Sequence, residues 1–315
     1  MSLATSSAFQ LAPYTQARAF VVVGSLSSVS VDDDLLYQIL VAFRLALTNA
    51  RENNMLVVIS MIRCIHKLAS GLPQESRGLP SLVWLAIALI QSSFSSLYAE
   101  SARLLQQALE ILYRDGPYSK LDIVSVFRNT RYSLENISSQ IDRVVGLSFE
   151  TDFSMALATT VFKGLRYPPT SAAAKELLYT LLRIGTSSLA IDESTTFQPV
   201  SSTVIGYFLA LLPVCTTRRS FAELVLLGGA TPDWLELMDS ELDEHFRIPF
   251  GIFGVRDNNT ALLVITFIIG MLNSADSEME KEIMFALLAD ASVEFPGVIA
   301  IACVDHSLIG MPVTD

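Results

Sequence analysis

Apolar residues at three- and four-residue spacing, closed each time by a Gly-, Pro- or Ser-containing break, recur along nearly the whole chain. This repetition limits the fold. Leu36, Ile39, Leu40, Phe43 and Leu47 lay one apolar stripe along a helix, because a turn takes 3.6 residues. Asp32, Asp33 and Asp34 precede it, where a helix N-terminus favours negative charge. A second stripe holds Met55, Val58, Ile59, Ile62 and Ile65, and Gly71 and Pro73 stop it. Residues 82–91 follow Pro80 and Ser81. Leu97, Ser101, Leu104, Leu105, Ala108 and Leu112 then form another stripe, ended by Gly116 and Pro117. Leu134, Ile137, Ile141, Val144 and Val145 make the next, and helices are expected over 153–162, 172–184 and 200–212. Ser220 with Glu223, and Ser277 with Glu280, have capping-box spacing.

Strand signals are poor. Val21, Val22 and Val23 are β-branched but lie in 16–24, which continues a helix. Residues 246–255, with Pro249, Gly251 and Gly254, read as a loop, and 186–199 read as a long polar one. About fourteen helices with short breaks, in antiparallel pairs of about 40 residues, imply an all-α, HEAT/armadillo-like α-solenoid. No signature repeats at a fixed period, so helix length and order carry this assignment; a compact helical bundle is the structural alternative. The expected organisation is a flexible N-terminus over 1–15, one solenoid domain over 16–305 with a sub-boundary at 186–199, and a tail over 306–315.

Composition excludes several classes. Hydrophobic residues make up 51% of the 315 and charged residues 17%, the reverse of a disordered chain. The apolar runs at 82–90, 204–212 and 261–272 fall short of the roughly 20 residues that span a bilayer; they suit helices covered by neighbours on most sides. The first residues lack a basic segment leading into a continuous apolar one, so no signal peptide is expected. A net charge of −11 argues against a general nucleic-acid binder. Cys64, Cys215 and Cys303 are odd in number and far apart, which points to a reducing compartment.

Site chemistry is sparse. His66, His245 and His306 have no Cys or His partners at zinc spacing. There is no nucleophile elbow and no glycine-rich phosphate loop. Glu236, Asp239, Glu241, Asp243 and Glu244 form an acidic run that reads as a solvated face. No catalytic residue, metal or cofactor is expected. Positive charge is grouped at Arg128 and Arg131, Lys163 and Arg166, and Arg218 and Arg219. Cations suit helix C-termini through the dipole, and the same six are the candidates for contact with a protein or an anionic lipid.

Several blocks, in order, resemble one family. They are residues 18–24, 82–91, 96–100, 126–129, 141–149, 162–168 (Phe162-Lys163-Gly164-Leu165-Arg166-Tyr167-Pro168) and 287–296. Together they are similar to the helical region that follows the lipid-binding module in neurofibromin-type Ras GTPase-activating proteins, fungal relatives included. The resemblance implies an α-solenoid piece of such a protein. In that family a separate helical domain supplies an arginine finger that stabilises the phosphoryl-transfer transition state. The phenylalanine-leucine-arginine block of the finger, with its downstream asparagine-proline-alanine, is missing here; Phe127-Arg128-Asn129 and Phe246-Arg247-Ile248 do not fit it. The Sec14-like and PH-like modules are absent too, and the connection over 186–258 is shorter than the family's. Family members continue past the position of Asp315, so the resemblance implies either a fragment of a longer chain or a truncated gene model.

The resulting expectation is a non-catalytic helical scaffold acting in negative regulation of Ras signalling. It would be cytoplasmic and at most peripheral at membranes. The expected partners are other domains of a parent Ras GTPase-activating protein, further copies of itself or Ras-pathway proteins. Two alternatives stand beside it. One is a Ras GTPase activator in its own right, through an exposed Arg128 or Arg219. The other is a membrane-associated adaptor using Lys163 and Arg166 with Arg218 and Arg219.

Overall fold

The computed structural model describes residues 8, 13–27, 31–50, 55–73, 76, 78–92, 94–114, 125, 142–143, 145–149, 152–187, 197–236 and 248–302. Five helices come first: α1 (Pro13–Leu26), α2 (Asp33–Thr48), α3 (Met55–Gly71), α4 (Gly78–Ile90) and α5 (Ser95–Tyr113). The middle holds α6 (Phe153–Leu165), α7 (Pro168–Ser187), α8 (Ile205–Leu211), α9 (Arg218–Leu227) and the single turn α10 (Asp233–Glu236). The last part comprises α11 (Asn258–Asn273), α12 (Glu278–Glu294) and α13 (Pro296–Ala302), with 3-10 turns at Leu212–Val214 and Phe250–Phe253. No strand occurs among the described residues, so the chain is all-α. No described helix is long and apolar enough to cross a membrane.

Local chemistry starts these helices. The Asp32 carboxylate accepts the Leu35 amide at 2.8 Å, and the Asp257 carboxylate accepts those of Asn259 and Thr260. Each takes up amides that a helix start leaves without intrahelical acceptors. Pro168 and Pro169 open α7, where a missing N–H does no harm. That start is earlier than the residue 172 expected from the sequence. Ahead of α9 the cap is Thr217, which exchanges bonds reciprocally with Ser220. The box expected between Ser220 and Glu223 does not form. At α12 half of the expected box exists: Ser277 accepts the Glu280 amide at 3.2 Å, while the Glu280 carboxylate goes elsewhere.

Tertiary packing sorts the helices into two layers. In one, α1 packs on α3, α3 on α5, α5 on α7 and α7 on α9; in the other, α2 packs on α4, α4 on α6, α6 on α8 and α8 on α11. Within a layer neighbours run parallel. Glu110, late in α5, meets Arg183, late in α7, and Gly206, early in α8, lies against Ser154, early in α6. Only Arg166 and Tyr167 separate α6 from α7, so the chain reverses between layers. Antiparallel pairs stacked in sequence order are the build of a solenoid.

The core runs between the layers without a gap. α3, flanked on both sides, buries Val57, Val58, Met61, Ile62, Cys64, Ile65, Leu68 and Ala69, more than the single stripe expected. At the junction of α4 and α6 the rings of Trp84, Phe149 and Phe153 meet edge to face, with centroids 5.6–6.3 Å apart. Truncating any one of them to Ala would cost about 3–5 kcal/mol.

One helix reading and one loop reading need correction. The helix expected over 200–212 starts only at Ile205, because residues 198–201 form an irregular strap tied to distant backbone. The strap is held by backbone bonds from Val200 to Ile252, Ser201 to Gly228 and Thr231 to Gln198. The stretch 246–255, read as a loop, contributes core: Ile248, Phe250, Ile252 and Phe253 are buried. Gly254 turns this segment at φ +58, and its α-carbon faces the Pro199 ring, so both conformation and space require glycine.

Candidate interaction surface

Among the described residues, helices in the middle of each layer have a neighbour on both sides, whereas α1 and α2 have one on only one side. The consequence is visible in their faces. α1 buries Ala17, Phe20 and Val23 and leaves Tyr14 (78% exposed), Val21, Val22 and Leu26 open. α2 buries Leu36, Ile39 and Phe43 and leaves Tyr37, Val41 and Leu45 open, a second apolar stripe at four-residue intervals. Apolar side chains grouped this way mark contact surfaces more often than scattered ones do.

The six cations picked from the sequence are not brought together. Arg128 and Arg131 lie outside the described residues. Lys163, in the last turn of α6, is half-buried, and burial pushes its ammonium down to about 8. Arg166, just past that helix, turns inward. It donates to the Glu280 carboxylate at 2.8 Å with side chains 20% and 14% exposed, and its guanidinium lies 5.1 Å from the Phe162 ring centroid. Its Nε and Nη2 are buried without a hydrogen-bond partner among the described residues. Arg218 and Arg219 open α9 rather than close it, so the helix dipole does not account for them. Arg219 pairs on the surface with Glu223 at 3.2 Å.

Sequence reasoning passed over Glu100. It is buried on α5, and its Oε1 accepts from Arg63 of α3 at 2.8 Å and from Arg103 at 3.0 Å. The signal was present. Glu100 falls on the same helix face as Leu97 and Leu104, and a lone carboxylate on an apolar stripe must find a cation.

Nothing nearby gathers reactive groups. Among the described residues no three His, Cys, Asp or Glu side chains converge to hold a metal ion. Burial, with Lys67 adding to it, holds His66 below the usual imidazole range. Cys64 and Cys215 are free and buried, and burial raises their thiols to about 12 and about 11. An open cleft of about 590 Å³ lies where α5 and α7 end, lined by Glu110, Tyr113, Arg114, Arg183, Ile184 and Ser187. No family model matches this chain.

Proposed function

We propose that this chain is a non-catalytic α-helical scaffold, the interaction region of a neurofibromin-like Ras GTPase-activating protein that acts in negative regulation of Ras signalling. The observation that carries the reading is the apolar outer face of α1 and α2, with Tyr14, Val21 and Val22 on one helix and Tyr37, Val41 and Leu45 on the other. A further pair of amphipathic helices stacked there would continue both layers and cover that face, as α3 and α4 do on the inner side. The partner that fits is a helical region of the parent protein. The resemblance adds the process: five of its seven blocks fall on α1, α4, α5, the corner between α6 and α7, and α12, while 126–129 lies outside the described residues. The protein would act in the cytoplasm and at most peripherally at membranes.

The test titrates the chain into a neurofibromin-type GTPase-activating fragment and follows heat and Ras GTP hydrolysis together. Expected are binding that Tyr37→Glu with Val41→Glu abolishes, and an intrinsic hydrolysis rate that the chain alone leaves unchanged. Acceleration by the chain alone would overturn the scaffold reading in favour of an activator. A lack of binding to the fragment would remove the assignment to Ras signalling.

A further inference from the structure

Charge is divided unevenly between the two layers, although the chain as a whole carries −11. In the α2 layer, α4, α8 and α11 have no charged side chain at all. In the α1 layer, exposed cations stand on successive helices: Arg63 and Lys67 on α3, Arg103 on α5, Lys175 and Arg183 on α7, and Arg219 on α9. Because α3, α5 and α7 are flanked on both sides and covered from behind, their exposed residues can only face outward. Contacts tie the row together. Glu100 joins Arg63 to Arg103, Glu110 joins α5 to Arg183 at 3.6 Å, and α7 packs on α9. The acids on these helices are fewer. Glu100 is buried and already shared by two guanidinium groups, which leaves Glu110, Glu176 and Glu223.

We infer that the outward face of α3, α5, α7 and α9 is a docking surface for an extended acidic polypeptide segment. With helix axes about 10 Å apart, the row spans on the order of 30 Å. Roughly nine residues of extended chain would cross it. Each arginine of the row already meets one glutamate of this chain through part of its guanidinium, and these side chains stay exposed, so a further carboxylate can reach them. The negative charge of the whole chain selects the kind of partner. Beyond a Debye length of about 8 Å at physiological salt the local field fades. A narrow acidic strand stays within it, whereas a broad anionic bilayer also meets the repulsion of a chain that carries −11 as a whole. This surface is separate from the apolar edge of α1 and α2, and the inference does not depend on any link to Ras.

Fluorescence anisotropy with a labelled oligo-glutamate peptide tests it, with oligo-lysine and phosphatidylserine vesicles as the other arms. The wild-type chain binds oligo-glutamate at low salt, and binding falls steeply as salt is raised. Lys67→Glu with Arg183→Glu lowers affinity about tenfold or more. These two are chosen because reversing Arg63 or Arg103 would strand the buried Glu100. Arg44→Glu with Arg256→Glu makes the same change in net charge on exposed residues of α2 and the approach to α11, and leaves affinity within about twofold. Equal loss in both variants, oligo-lysine binding as tightly, or vesicle capture without peptide binding would each overturn the inference. Absence of wild-type binding at low salt would do the same, independent of how any variant folds.

Discussion

Arg166 and Glu280 are 114 positions apart in the chain and meet at 2.8 Å, fastening the corner between α6 and α7 to the first turn of α12. The pair explains two features at once. Glu280 does not close the capping box that its spacing from Ser277 suggests, because the nearby guanidinium offers a stronger, charge-assisted bond. Arg166 is not a surface cation, because its side chain packs over Phe162 beside α12.

Removing one partner of that pair should be costly. Glu280→Ala leaves a mostly buried guanidinium whose Nε and Nη2 have no partner among the described residues, so stability should fall by about 3 kcal/mol. Arg166→Met combined with Glu280→Leu should recover most of the loss, since a packed apolar pair carries no desolvation cost. Urea unfolding of the three chains measures this.

Close approach to glycine gives a graded prediction. The α-carbon of Gly164 abuts the Tyr98 ring, and that of Gly206 abuts the Ser154 carbonyl. An added methyl at Gly164 meets a side chain, held in place because its hydroxyl donates to the Val161 carbonyl at 2.7 Å. At Gly206 it meets backbone, which cannot swing aside. Gly164→Ala should cost about 2 kcal/mol, and Gly206→Ala should cost more. Thermal unfolding that ranks them the other way would contradict this packing.

Lys163 predicts a dependence on pH. The folded chain releases its proton near pH 8, whereas the unfolded chain holds it to about 10.5. Between those values folding releases a proton, so this group's contribution to stability rises with pH; below 8 the buried charge is a constant cost. Lys163→Met should therefore be the more stable chain at pH 7, and the two should converge toward pH 10.5. Cys64 and Cys215 act in the opposite sense at high pH, since their folded thiols hold protons longer than the ordinary 9.0. The difference between wild type and variant, measured by chemical denaturation across the range, isolates the lysine.

The same thiols predict slow chemistry. Both are buried, and a thiol rather than a thiolate predominates at neutral pH. Iodoacetamide at pH 7.5 should leave Cys64 and Cys215 unmodified in the native chain and label both in denaturant, as read by peptide mass spectrometry. Rapid native labelling of either would show that its helix opens.

The stripe of α2, the acidic start of that helix and the absence of strands among the described residues were legible in the sequence. Each depends on neighbours within one or two helical turns, and spacing records such neighbours directly. The inward turn of Arg166, the pairing of Glu100 with Arg63, the strap over 198–201 and the gathering of cations on one layer depend on residues that tens of positions separate. The chain's pattern decided that helices form, whereas how much of each one is buried followed from its neighbours, as α3 shows. The stacking order decided which charges meet, which are buried and which stand outward together, because electrostatics and hydrogen bonding act through space rather than along the backbone.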